Sequence, residues 1–247
     1  NGNLRSLSEQ TPTGSMTGTD QITAAEANNP TGKHMWNIDT FVDRQLINLL
    51  LLLIGKSTDT QTVFGNGNMN GYSNPASGAG TNGILSTGTM NDKGLFWGSN
   101  ADNLGVKVFG IEHWWGNLNH RTQGLILDNG TYKMKLTYGT EDGSTVEGYN
   151  TTGEGYIDSG KSPSKFLGYF ITNMHAGKFG LLPNEISGSA TTYFCDTQFS
   201  NSTGKYLSLF GGGSVDGSGC GAFACHLNYL VSNSGWGIGA CLSCKPY

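Results

Sequence analysis

Positive charge is scarce in this chain. Of 247 residues only 14 are Lys or Arg, against 18 Asp and Glu, for a net charge of −4. No basic stripe occurs, so nucleic acid is not an expected partner. Charged residues make up 13%, about half the usual share, whereas a disordered chain would be highly charged. Proline is rare, with six residues. The longest apolar run, Leu49 to Ile54 within Leu46–Ile54, is far short of the roughly 20 residues that span a bilayer, so no direct membrane insertion is expected. The N-terminus lacks the charged-then-apolar pattern of a secretory signal. Cysteine is absent until Cys195; Cys220, Cys225, Cys241 and Cys244 follow. An odd count argues against a fully paired disulfide framework, and reduced thiols in a cytoplasmically made protein are the simpler expectation. No P-loop, dinucleotide-binding glycine motif, Gly-x-Ser-x-Gly or His-Glu-x-x-His occurs, so no catalytic residue, metal or cofactor is expected.

Glycine and aromatic rings are plentiful: 39 Gly, five Trp, ten Tyr and eleven Phe. That combination suggests tight turns pinned by large rings around a packed core. Residues 1–33 are polar and without period, which reads as a flexible arm or linker. Residues 34–247 read as one domain. Thr40 with Asp43 resembles a capping box, Phe41–Ile54 is dense in Leu and Ile, and Gly55 is a natural residue to follow a helix end. The expectation is one long early helix, apolar on most faces and therefore buried, with Asn48 its one polar interruption. Residues 56–92 have no period. Short strands are expected at 94–97, 106–109, 124–127, 131–137, 166–171 and 206–210, with Asp128-Asn129-Gly130 a hairpin signal. The fold class is α+β with small antiparallel sheets and long irregular loops.

Local chemistry is thin. Glu112-His113-Trp114-Trp115 is the most notable cluster, and it reads best as a residue packed beside two buried rings. Cys241-Leu-Ser-Cys244 has C-x-x-C spacing but neither the βαβ context of a redox pair nor the second pair of a zinc site. Asn91-Asp92, Asp102 and Glu141-Asp142-Gly143 match no EF-hand spacing. Composition accounts for the Asn-x-Ser/Thr triplets at Asn129, Asn150 and Asn201.

The C-terminal stretch, about 210–244, is different. Gly212, Gly213, Gly217, Gly221, Phe223, Leu227, Ser232, Ser234, Trp236, Ile238, Gly239 and Leu242 form an apparent framework. Interleaved, with no hydrophobic period, are Val215, Asp216, Gly219, His226, Asn228, Tyr229, Asn233, Gly235 and Gly237. This pattern resembles the variable region of diversity-generating retroelement target proteins. In that family an RNA template is copied with errors at adenines, and Asn codons become Asp, His, Tyr, Val, Gly or Ser. All nine interleaved residues belong to the reachable set. Gly110-Ile-Glu-His-Trp-Trp-Gly-Asn117, Gly180-Leu-Leu-Pro183 and Leu209–Gly213 are similar to segments of the formylglycine-generating-enzyme type of C-type-lectin fold.

The resemblance implies a C-type-lectin-like domain over 34–247, whose two chain ends meet in a small sheet. It implies a ligand-binding face built from the nine variable residues with Trp236 beside them. The implied partner is a protein or glycan receptor on a host or neighbouring cell. The implied place is a phage or prophage tail, or a bacterial cell surface, with the N-terminal arm attaching the domain to a larger assembly or homo-oligomer. An oxidase-like enzyme on the same fold is the alternative; no matching cysteine pair maps onto Cys241 and Cys244. No Glu-Pro-Asn or Gln-Pro-Asp tripeptide occurs, so calcium-dependent sugar binding is not expected.

Overall fold

The computed structural model describes residues 2–70, 83–136, 147–177 and 180–245. The expected Glu141–Gly143 acids and the end of the 131–137 strand lie outside them. In chain order the first elements are α1 (Gly18–Glu26), β1 (Trp36–Ile38), α2 (Phe41–Gly55) and α3 (Thr60–Phe64). Then come β2 (Lys107–Val108), β3 (Ile111–Glu112), β4 (Asn119–Asp128), β5 (Thr131–Met134), β6 (Ile157–Asp158) and β7 (Gly168–Gly177). The chain continues through β8 (Gly180–Ile186), β9 (Thr197–Ser200), β10 (Lys205–Phe210), β11 (Cys225–Leu227), β12 (Ile238–Gly239) and β13 (Leu242–Cys244). The fold is mixed α+β and mostly strand.

The sheets are larger than expected. Nine strands join in one sheet, ordered β6-β5-β4-β10-β11-β9-β7-β8 with β12 also on β4. Two pairings, β11 with β9 and β12 with β4, are parallel. Small antiparallel pairs complete the set, β2 with β3 and β1 with β13. The last joins the two ends of the domain, Trp36 opposite Cys244 and Ile38 opposite Leu242. Strand β4 is central and buried along nearly its whole length. Its hairpin to β5 turns on Asn129 and Gly130, both with positive φ (46° and 81°), as a two-residue type I′ turn requires. Residues 94–97 form only an isolated bridge, Trp97 to Lys107.

Three expectations are corrected. Residues 1–33 are not a free arm. Thr17 caps α1 by accepting from the Asp20 N–H at 3.1 Å, and Ile22 and Ala25 pack with Ile38, Ile126 and Leu207. Helix α2 starts as expected, with Thr40 accepting from the Asp43 N–H at 3.3 Å. Its end differs: Gly55 is still helical, and Lys56 takes the left-handed position (φ 51°), its N–H bonded to Leu52 O. Helix α2 is also not buried all round. Phe41, Arg44, Gln45, Asn48 and Leu51 face inward, while five Leu and Ile side chains remain exposed. A 15-residue helix lying on one side of a sheet can bury only one stripe.

Asn48 turns that polar interruption into a joint. Its Nδ2 donates to Ala222 O at 2.6 Å, and its Oδ1 accepts from Trp114 Nε1 at 2.9 Å. Arg44, fully buried, stacks on the Trp114 ring at 3.8 Å and donates to Trp114 O at 3.0 Å. The Asp39 carboxyl lies 3.8 Å from its Nη1. Burial pushes the Asp39 carboxyl up to about 7, with Arg44 opposing the shift.

Asn48→Ala leaves a buried indole N–H and a buried carbonyl unpartnered, so a loss of about 2–4 kcal/mol is expected in urea unfolding. Folded Asp39 keeps a proton that the unfolded chain releases, so its contribution to stability falls as pH rises from about 4 to about 7. Asp39→Asn removes that slope. The urea midpoints of the two proteins, compared across this range, measure the difference; the buried histidines are common to both and cancel.

Candidate functional site

The segment after β10 is held chiefly through its backbone. Ala222 N–H donates to Thr60 Oγ1 at 3.2 Å and Phe223 N–H to Asp196 Oδ2 at 2.7 Å. Ser214 N–H reaches Asn117 O, and Gly217 N–H reaches Met69 O, both at 2.9 Å. Further on, the N-terminal segment takes over. Gly18 N–H donates to Val231 O and Ser15 N–H to Gly235 O, both at 2.7 Å. Gln21 Nε2 reaches Ile238 O at 3.2 Å. Buried Arg121 donates through Nε to Gln21 Oε1 at 2.8 Å and through Nη2 to Asn233 O at 2.9 Å. Asn119 N–H donates to Gly237 O at 2.9 Å. Apart from the Arg121–Gln21 bond, each of these contacts reads a main-chain atom of the C-terminal segment; within the segment, Asn233 Oδ1 also accepts from the Leu230 N–H at 2.6 Å.

Of the ten residues expected on the face, eight are at least partly exposed. Val215 and Asn233 are exposed; Asp216, Asn228, Tyr229, Gly235, Trp236 and Gly237 are half-buried. Asp216 accepts from Asn119 Nδ2 at 3.2 Å and from Gly213 N–H at 2.6 Å, so Asn119 ties the Asp216 turn to Gly237. Tyr229 stacks on His226, ring centroids 6.4 Å apart. Two residues are corrected. His226 is buried, edge-on to Phe199 at 4.7 Å, and burial lowers its pKa with Asp216 opposing. Gly219 is buried in the turn Gly217–Gly219, where an added Cβ would lie 2.7 Å from Thr197 Cγ2 and Oγ1. Both belong to the scaffold.

The remaining glycines divide by available space. A Cβ on Gly237 would meet nothing within 4 Å, and one on Gly235 only Ile238 at 3.8 Å. Among framework glycines, a Cβ would press on Cys220 Sγ at 2.8 Å from Gly212, on Leu118 Cδ1 at 2.7 Å from Gly239, and into the Asp196 carboxylate from Gly221. Sequence reasoning missed the supporting residues Ser15, Gln21, Asn119, Arg121 and Asp196. One signal was present: Thr17 with Asp20 repeats the Thr40 with Asp43 cap.

The thiols lie elsewhere. All five cysteines are free. Cys241 Sγ lies 3.4 Å from His120 Nδ1, at a cavity of about 1090 Å³ between the N-terminal segment and Glu112, His113 and His120. Burial pushes the Cys241 thiol up to about 12 and His120 well down, the opposite of an activated thiolate–imidazolium pair. Among the described residues no group of three His, Cys, Asp or Glu is gathered to hold a metal ion, and no helix is long and apolar enough to cross a membrane. Compared with known proteins, the chain matches no protein-family model and no curated protein.

Substitutions at the glycines test this division. Gly237→Asn is expected to change unfolding free energy by less than about 0.5 kcal/mol, while Gly219→Asn and Gly221→Ala each lose more than about 2 kcal/mol through overpacking. Circular dichroism melts of the three variants give the comparison.

Proposed function

We propose that the chain is a ligand-binding protein whose C-terminal loops form a diversified recognition face, of the kind made by diversity-generating retroelements on a C-type-lectin-like fold. The observation that carries this reading is the main-chain support of residues 211–238. A surface selected to vary needs a backbone whose position does not depend on the varying side chains. Seven interleaved residues, Val215, Asp216, Asn228, Tyr229, Asn233, Gly235 and Gly237, reach solvent, where exchange costs little stability, except that Asp216 and Asn233 also accept from the Gly213 and Leu230 N–H groups, both at 2.6 Å. The β1–β13 pairing of the domain's ends agrees with the small terminal sheet of that fold.

The partner is a protein or glycan receptor on a host or neighbouring cell, met from a phage tail or a bacterial surface. Tyr229 and Trp236 supply rigid amphipathic area, and Asp216, Asn228 and Asn233 supply hydrogen bonds. Two of the seven are glycine, so this variant offers modest area, and tight attachment calls for several copies acting together. A pre-formed loop lowers the ordering cost of each contact. The N-terminal segment serves as a brace for the face rather than as a tether.

The test is a library randomised at those seven positions and panned against bacterial cells. Most members are expected to melt within about 5 °C of the parent, and panning on different strains should enrich different residues there. Widespread unfolding of the library, or enrichment that never depends on these positions, overturns the reading. The parent gene should also be accompanied by a near-copy of codons 210–244 differing at adenines.

A further inference from the structure

Helix α2 leaves one apolar face in solvent. Leu46, Leu49, Leu50, Leu53 and Ile54 are 58, 39, 36, 72 and 53% exposed. Their spacing (i, i+3, i+4, i+7, i+8) is that of a single helical stripe. Val63 on α3, 42% exposed, prolongs it, because its Cγ1 lies beside Gly55. Scattered exposed leucines need no explanation, but a continuous stripe on the order of 500 Å² stands at the upper end of what monomers display.

We infer that this face pairs with the same face of a second copy of the chain, α2 against α2 in antiparallel orientation about a two-fold axis. An isologous contact must be complementary to itself, and the stripe is. With the axis between Leu49 and Leu50, Leu46 of one copy meets Leu53 and Ile54 of the other, and the central leucines meet each other. The charges fit the same symmetry. No charged residue stands between buried Arg44 and Lys56, so the stripe brings no like charges together. Asp43 precedes Leu46 by three positions and Lys56 follows Leu53 by three, so the axis sets each Lys56 near the second copy's Asp43, whose carboxylate already pairs with Lys245 of its own chain at 2.6 Å, and the helix dipoles oppose. A membrane-surface helix would carry a row of basic residues beside its apolar face; here Lys56 stands at one end and Lys245, paired with Asp43, at the other, in a chain of net charge −4. Each copy contributes the stripe plus its polar rim, approaching the roughly 800 Å² per partner of a standard interface.

The test is sedimentation equilibrium of the full chain at micromolar concentrations. The parent is expected to be a dimer. Leu46→Glu with Leu53→Glu is expected to be a monomer with an unchanged circular dichroism spectrum, because both side chains are exposed. If the double variant fails to fold, Leu46→Gln with Leu53→Gln gives the same reading. Leu50→Cys is expected to form a disulfide-linked dimer on mild oxidation, where the parent and Leu95→Cys do not. A monomeric parent, an assembly of any size unchanged by the stripe substitutions, or parent chain that sediments with anionic lipid vesicles while remaining monomeric overturns the inference.

Discussion

A buried guanidinium lies under much of this architecture. Arg44 has no access to water, and a buried cation persists only where charge and hydrogen bonds replace its hydration. The replacements come from separate parts of the chain: the Trp114 ring and carbonyl, the Asp39 carboxyl, and the Phe210 ring 5.6 Å away. Through these contacts that one side chain, whose Nε and Nη1 find no hydrogen-bond partner among the described residues, ties α2 to the Trp114 turn and the end of β10. The position of Phe210 sets where the C-terminal segment starts. One turn along α2 from Arg44, Asn48 binds Trp114 on one side and Ala222 on the other.

The same economy recurs at the candidate face. Fixed side chains such as Asn48, Thr60, Arg121, Gln21 and Asp196 grip carbonyls and amides that any residue would present. Asp196 is the costliest of these. It is fully buried, which raises its pKa strongly, although the Phe223 N–H opposes the shift. Such an expensive group is retained where backbone position matters more than stability. Tolerance to change at 235 and 237 and intolerance at 212, 219, 221 and 239 are two sides of that arrangement.

Legibility from sequence followed the range of the interactions. The start of α2, the Asn129-Gly130 hairpin and the edges of β10 are set within a few residues, and the pattern of residues shows them. The nine-stranded sheet is set by pairings between distant segments, including two parallel ones, and nothing local announces it. Helix α2 was expected to be buried because its composition is uniformly apolar, but composition does not say how many neighbours a helix will have. The N-terminal segment was misjudged for the converse reason. Its helix is short, and its buried stripe is only Gly18, Gln21, Ile22, Ala24 and Ala25, too brief and too small in side chain to stand out from the polar residues around it. His226 and Gly219 shared the small-or-polar character of their neighbours; only the Phe199 ring and the Thr197 side chain distinguish them.

The brace between the N-terminal segment and residues 231–238 has a consequence for biosynthesis. Gln21 and Ile238 are 217 positions apart, and Gly14 sits directly against the Trp236 carbonyl. These contacts cannot close until residues 231–238 have been synthesised, so the loop face takes shape only after most of the strands of the large sheet are available. A chain interrupted before residue 231 would hold those strands yet present no finished face, which makes the brace a check on what the protein displays.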